Sequence, residues 1–135
     1  MSSPLVEQAV RQKLQQVRNT ILTLHKALLD SDRTAYEILH GRIGSPGAFL
    51  QLLINDPWFA WLQPMTTLIV QIDEALAAKP PSDAQVLEQM LTDTRSLLLA
   101  PADVENTFWK RYSAAVQRDP AVGLLQQQLQ NELGD

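Results

Sequence analysis

Apolar residues near the start of the chain recur every three or four positions, which is the period of an amphipathic helix. The stripe holds for about three heptads and continues less regularly through Ala35 and Leu39. Its first members are Val10, Leu14, Val17, Ile21, Leu24 and Leu28. Ser3 is a natural N-cap, and Pro4 fits the first helical position because the N–H that proline lacks would have no partner there. We therefore predict one long helix from Pro4 to about Leu39, ended by Gly41 as a C′ glycine.

This first helix has two features that leave alternatives open. Asp30-Ser31-Asp32 could interrupt it, because Asp and Ser side chains compete with the helix for backbone hydrogen bonds. A second apolar row also runs beside the stripe, through Leu22, His25, Leu29, Tyr36 and His40. The apolar face is then wider than one partner helix needs. The helix is therefore either the central or longest helix of the fold, or it carries a second interface.

Proline after a short polar residue marks the start of each of the next two helices. The segment 45–55, which begins Ser-Pro, is a short helix with apolar residues on most sides, and such a helix is predicted to be buried on most sides. The segment 56–78, which begins Asp-Pro, is a longer helix with Pro64 inside it. Because proline removes a backbone hydrogen bond and clashes with the preceding turn, we expect a kink or a short break at Pro64.

Three further helix starts complete the pattern. The stretch from Ser82 to Gln85 matches a capping box, in which the Gln side chain reaches back to the N–H of the cap. Ala100-Pro101 opens another helix, and Asp119-Pro120 opens a last short one. No segment alternates strictly between apolar and polar residues, and no Asn-Gly or Asp-Gly hairpin turn is present. The sequence predicts a single all-α domain over 1–135, a compact bundle of about four to six helices with a long first helix and a Pro-kinked, aromatic-rich helix.

Composition and charge narrow the classes of function. The 135 residues include no cysteine, so disulfides, a thiol nucleophile and cysteine-ligated zinc are excluded, and a reducing compartment fits. The net charge is −4 and the basic residues are scattered, which argues against nucleic acid as a partner because phosphate binding needs a basic surface. There is no signal-peptide pattern, and no apolar run approaches the roughly 20 residues of a membrane span. We expect a cytoplasmic protein with no membrane contact.

One tetrapeptide has the spacing of a metal-binding element. Glu37-Ile38-Leu39-His40 matches the Glu-x-x-His of di-iron helix bundles, which need two such elements. The other histidine, His25, lies about 22 Å away along the same helix, too far to share a metal ion. The alternative is a helix-end histidine without a ligand role. We expect no metal and no cofactor. With no Gly-rich phosphate loop and no nucleophile setting, the sequence predicts a protein that is not an enzyme.

The aromatic run Trp58-Phe59-Ala60-Trp61 is the strongest candidate for a binding surface. Trp58 and Trp61 share one helical face and Phe59 points elsewhere, so one ring should be hard to bury in a single layer of helices. Aromatic residues dominate both cores and interface hot spots, which leaves core packing and a partner surface as the two interpretations. For the second we name Leu29, Phe59 and Trp109 as interface residues. This version predicts a homodimer, or docking of another protein, and a role as a structural or protein-interaction module.

His25 and Tyr36 support a different function. Both have an apolar body and a polar tip, so they are either packed side chains with a hydrogen-bonded end or polar anchors in a ligand pocket. In the second case the protein is a helical bundle that binds a small apolar molecule beside the Pro64 kink. Its ligand-binding residues would be His25, Tyr36, Trp58 and Trp61.

Part of the chain also resembles a known family. The matching pieces are Gly44-Ser45-Pro46, Phe49-Leu50-Gln51-Leu52-Leu53, Asp56-Pro57-Trp58-Phe59-Ala60-Trp61-Leu62 and Ile72-Asp73-Glu74. Together they resemble a family of small uncharacterised bacterial all-helical proteins, over roughly Leu24 to Leu76, a little under half of the chain. The resemblance implies a bacterial cytosolic origin. It assigns no catalytic or binding residue.

Overall fold

A computed structural model describes residues 4–134, and all regular secondary structure within that range is helical. The helices are α1 Pro4–His40, α2 Pro46–Asn55, a 3₁₀ helix Pro57–Leu62, α3 Gln63–Ala77, α4 Ala84–Leu98, α5 Thr107–Arg118 and α6 Pro120–Leu133. The predicted all-α bundle is thereby confirmed. The cap predicted at Ser3 lies outside the described residues.

The long helix α1 is the centre of the bundle and packs against α3, α4 and α6. It is continuous through Asp30-Ser31-Asp32, because Asp32 does not leave the helix but points inward and is 3% exposed. The stripe before it is fully buried, at Leu14, Val17, Ile21, Leu24 and Leu28. Gly41 ends the helix as predicted: its φ is +89°, and its N–H donates to the Glu37 carbonyl at 2.9 Å. A positive φ of this kind favours glycine.

Three polar pairs fix how α1 lies against the 3₁₀ helix and α3. The pairs are Arg18–Asp73 (2.5 and 3.4 Å), His25–Thr66 (3.3 Å) and Asp32–Trp61 (2.9 Å). Their members on α1 are separated by two helical turns each, so all three lie on one side of that helix. Their partners occur in the reverse order, which makes α1 and α3 antiparallel. A shift of one residue along α1 would break all three pairs at once.

The break expected at Pro64 lies before the proline instead. The chain forms a 3₁₀ helix over Pro57–Leu62, begun by Asp56, whose carboxylate accepts from the Trp58 N–H at 2.8 Å. The α-helix then starts at Gln63, which places Pro64 in its first turn. A first-turn N–H has no intrahelical partner, so proline is tolerated there without a kink. The expected interruption is therefore present as a short break, a change from 3₁₀ to α-helix between Leu62 and Gln63, and the proline itself introduces no kink.

The predicted start of α4 is also wrong, by one residue. Asp83 is the cap, and its carboxylate accepts from the Val86 N–H at 3.0 Å. The Ser82 hydroxyl instead donates to the Ala75 carbonyl near the end of α3, at 2.7 Å. Serine at that position therefore closes the turn between α3 and α4, and the aspartate after it takes over the capping role.

No helix begins at Ala100-Pro101, contrary to the prediction. The chain remains irregular up to Asn106, whose side-chain oxygen accepts from the Trp109 N–H at 2.7 Å and begins α5. Alanine has no side-chain acceptor to satisfy a free N–H of a first turn, whereas asparagine has one. The start predicted at Asp119-Pro120 is confirmed.

The cap assignment at α4 can be tested by mutation. We expect Asp83→Ala to lower the free energy of unfolding by about 1 kcal/mol, because one N–H of the first turn loses its acceptor. Urea denaturation followed by circular dichroism measures the change. The matched control is Asp30→Ala, an exposed aspartate whose carboxylate has no hydrogen bond within residues 4–134, with an expected change below about 0.5 kcal/mol. Equal effects of the two substitutions would contradict the assignment.

Candidate interaction surface at the end of α1

Five rings meet where the last turns of α1 contact α2 and the 3₁₀ helix. This aromatic cluster consists of Tyr36, His40, Phe49, Trp58 and Phe59. The Tyr36 ring lies 4.5 Å from His40, 5.7 Å from Trp58 and 5.6 Å from Phe59, measured between centroids. Phe49 of α2 contacts Phe59 edge-to-face at 5.7 Å. The rings therefore tie α2 to the body of the bundle through the 3₁₀ helix.

Phe59, expected to be the ring left at the surface, is buried and only 3% exposed. The expectation assumed α-helical spacing, in which Phe59 points away from its neighbours. A 3₁₀ helix has three residues per turn, so Phe59 and Leu62 lie on the same side and enter the core together. Trp58 is the half-buried ring of the run, and Trp61 is buried. Phe59, named as an interface residue, therefore does not lie at the surface of the chain.

A charged pair that was not predicted from the sequence, Asp32 and Arg111, packs against the tryptophans. The Asp32 carboxylate accepts from Trp61 Nε1 at 2.9 Å and lies 3.5 Å from the Arg111 guanidinium. That guanidinium stands over the rings of Trp58 and Trp61, at 5.6 and 5.4 Å from their centroids. The buried carboxylate is therefore both paired and hydrogen-bonded. The sequence feature that indicates the burial of Asp32 is its position, four residues after Leu28 on the apolar stripe.

The four residues proposed for ligand binding do not form one site. His25 is half-buried beside Thr66, and burial lowers the pKa of its imidazole because desolvation disfavours the charged form. Tyr36 lies about 16 Å further along α1. Tyr36 and Trp58 are in contact, but the Trp61 N–H is occupied by Asp32. Pro64 itself is exposed, and its neighbours Leu62 and Met65 are packed in the core, at 3% and 0% exposed.

The other two proposed interface residues, Leu29 and Trp109, are partly buried against the core. The large exposed apolar side chains at this end of the molecule are different ones. They are Ile38 (79%), Leu39 (68%), Leu50 (54%) and Ile54 (67%), and we refer to them as the outer patch. None of them is aromatic, so the aromatic pattern of the sequence does not point to them.

Leu39 is exposed although it continues the core stripe of α1. It lies within about 20° of Leu28 around the helix axis. Leu28 is 1% exposed and Leu39 is 68% exposed. The difference arises because, within residues 4–134, no other helix covers the side of the last turn of α1 on which Leu39 lies. That turn therefore presents a core-type surface to solvent.

The helix α2 has no buried residue, which contradicts the prediction that it is buried on most sides. Its apolar residues are divided among three directions. Phe49 packs on the 3₁₀ helix, Ala48 and Leu52 line a groove, and Leu50 and Ile54 lie about 160° from Leu52, on the far side. The composition of a helix shows how apolar it is, but only the number of neighbouring elements decides how much of it is covered.

An open groove of about 600 Å³ separates the end of α1 from α2. We refer to it as the loop groove, because the residues 41–44 form one of its walls. Its lining includes Tyr36, His40, Arg42, Ile43, Ala48 and Leu52. The Ile43 N–H donates to the Glu37 carboxylate at 2.7 Å, which fixes that wall to α1. Pro64, beside which the ligand pocket was expected, does not line this groove.

The remaining chemistry at this end is limited. Glu37 of the Glu-x-x-His element is occupied by the Ile43 N–H and lies 3.8 Å from Arg33. Across residues 4–134 no three His, Asp or Glu side chains converge as a metal-ligand set. Within the same range no helix is long and apolar enough to cross a bilayer.

Comparison with family models, curated proteins and solved structures found no match to the chain.

Proposed function

We propose that this chain is a non-enzymatic protein-interaction module of the bacterial cytoplasm, and that it forms a homodimer through the outer patch. The observation behind this proposal is the last turn of α1, where Leu39 continues the core stripe and is nevertheless 68% exposed. The absence of cysteine fits the proposed compartment. The bacterial origin depends on the family resemblance given above.

A second copy is the partner that this surface fits most simply. In a two-fold dimer the same patch of both copies meets, so one apolar surface is sufficient. A standard interface covers about 800 Å² per partner. That is about a tenth of the 8183 Å² surface of this chain. The last turn of α1 offers Ile38 and Leu39 to such an interface, and α2 offers Leu50 and Ile54 on its side away from the groove.

The dimer is tested by replacing one patch residue. We expect the wild-type protein to sediment with twice its 15.1 kDa mass, and Leu39→Ser to raise the dimer dissociation constant at least about tenfold. The reason is that two apolar side chains, one from each copy, lose their burial. Sedimentation equilibrium measures both constants.

The matched control for Leu39→Ser is Leu124→Ser. Leu124 is 73% exposed, on α6 and outside the outer patch, so its replacement should leave the dissociation constant unchanged. A wild-type protein that remains monomeric at high micromolar concentration would contradict the proposal. Equal weakening by the two substitutions would show that the interface is not at the outer patch.

A second candidate function is binding of a small apolar molecule, and the loop groove is the observation that favours it. Its volume of about 600 Å³ lies within the range of roughly 300–1,000 Å³ that is typical of ligand pockets. An apolar lining with a few polar groups is also typical of them. The groove lies on the opposite side of α2 from Leu50 and Ile54, so occupation of the groove and dimerisation through the patch are separate events.

A further inference from the structure

The charged side chains in and around the loop groove differ in whether they already have a hydrogen-bond partner. Its acidic residue, Asp56, already accepts from the Trp58 N–H at 2.8 Å. Glu37, behind the loop, accepts from the Ile43 N–H. Arg42 has no hydrogen bond and no ion pair with any residue in the range 4–134. The groove therefore has a free cationic donor at one end, while the nearby carboxylates are occupied by backbone donors.

His40, two residues before Arg42, is a second groove residue whose side chain has no hydrogen-bond partner within residues 4–134. Its ring packs against Tyr36 and Trp58 at 4.5 and 5.8 Å, but its nitrogens make no hydrogen bond with the described part of the chain. One ring nitrogen of a neutral imidazole is a donor, and both are donors when it is protonated. The ring contacts hold the imidazole in place at the rim. His40 at the end of α1 and Arg42 in the loop thus both line the groove with donors that no described residue uses.

The rest of the groove combines apolar side chains with Gln51 and Asn55, whose amides hydrogen-bond each other at 3.1 Å, and it is built on fixed backbone. Ile43 is only 7% exposed, and Ala48 and Leu52 face it from α2. Two hydrogen bonds to Glu37, from the Gly41 and Ile43 N–H groups, hold the loop at the end of α1. A groove that exists before binding does not require ordering of the loop when a ligand enters, which favours affinity.

We propose that the loop groove binds a small amphipathic carboxylate. The carboxylate pairs with Arg42 and the His40 imidazole, and the apolar body lies along Ile43 and Leu52. The ligand class follows from charge complementarity, because charge-assisted hydrogen bonds to an unpaired guanidinium are stronger than those to neutral donors. This inference rests on the second candidate function, and it specifies which molecules that function would concern.

The test uses the full chain and three probes of equal chain length: octanoate, octanol and octylammonium. Two-dimensional ¹H–¹⁵N NMR follows the amides of residues 41–44 and 48–52 during each titration. We expect octanoate to shift these amides and to bind at least about fivefold more tightly than octanol. Octylammonium should bind more weakly than octanol, because Arg42 repels it.

Two charge-removing variants locate the effect. Arg42→Gln, in an exposed loop position, should bind octanoate and octanol equally. Lys26→Gln, at an exposed position of α1 remote from the groove, should keep the wild-type preference. Octanoate and octanol that bind the wild-type protein equally, or a preference that survives Arg42→Gln, would overturn the carboxylate assignment while leaving the groove as a site for apolar molecules. If no probe shifts the groove amides, both this inference and the second candidate function are wrong.

Discussion

Phe59→Ala is expected to lower the free energy of unfolding by about 3–5 kcal/mol, the largest effect of any substitution proposed for this protein. Phe59 is 3% exposed and lies between Tyr36 of α1 and Phe49 of α2. Removal of its ring creates a cavity at the only aromatic contact between Phe49 and the 3₁₀ helix in the described chain. We therefore also expect faster hydrogen exchange in α2 than in α1. Urea denaturation and amide exchange measure the two effects.

Two variants serve as controls for Phe59→Ala. Phe59→Leu keeps most of the apolar volume and should lower the free energy of unfolding by less than about 1.5 kcal/mol. Phe49→Ala removes the same ring from a half-buried position of α2, so the loss should be well below that of Phe59→Ala. A loss for Phe59→Ala no larger than that for Phe49→Ala would mean that Phe59 is not a core residue.

The second large effect is expected for Asp32→Ala, with a loss of about 2–4 kcal/mol in the free energy of unfolding. The substitution leaves the Trp61 N–H buried without an acceptor and removes the carboxylate beside Arg111. We do not expect the largest losses of stability that are typical of a broken buried ion pair. The Arg111 side chain is 41% exposed and water can solvate it. Urea denaturation monitored by tryptophan fluorescence measures the loss.

Asp32→Asn separates the hydrogen bond from the charge. The amide oxygen can still accept from Trp61, whereas the negative charge facing Arg111 is gone. We expect a loss of about half that of Asp32→Ala, because the buried N–H keeps its acceptor. A loss for Asp32→Ala below about 0.5 kcal/mol, the level of an ordinary surface substitution, would contradict the inward placement of Asp32.

These stability variants complement the association test. Leu39 is largely exposed, so Leu39→Ser should change the dimer dissociation constant and leave the unfolding of the monomer almost unchanged. Phe59→Ala and Asp32→Ala should lower the free energy of unfolding of the monomer and leave the dimer dissociation constant almost unchanged, because both residues lie beneath the surface. Interior packing at this end of the molecule and association through the outer patch can therefore be measured independently.

Elements whose signals are local can be predicted from the sequence alone. The period of the apolar stripe in α1 specifies a long amphipathic helix, and Gly41 specifies its end. The caps at Ser45 and Asp119 were identified correctly because a polar side chain followed by proline satisfies the first helical turn without help from distant residues. All-α architecture follows from the sum of such local preferences.

Which residues are covered follows only from the packing of the whole chain, because burial depends on neighbours that are distant in sequence. Asp32 was predicted as a possible helix breaker, yet Trp61 and Arg111 supply partners that let it remain inside. Phe59 was assigned to the surface on α-helical spacing, whereas the 3₁₀ geometry of its segment turns it inward.

The candidate surface was beyond sequence reasoning for the same physical reason. Leu28 and Leu39 occupy equivalent places on the stripe of α1, and nothing in their local sequence distinguishes a core leucine from an exposed one. The difference is that other helices cover α1 at Leu28, whereas no helix of the described chain covers the side on which Leu39 lies. Periodicity determines which side of a helix is apolar, and only the packing of the whole chain determines how far along that side the core extends.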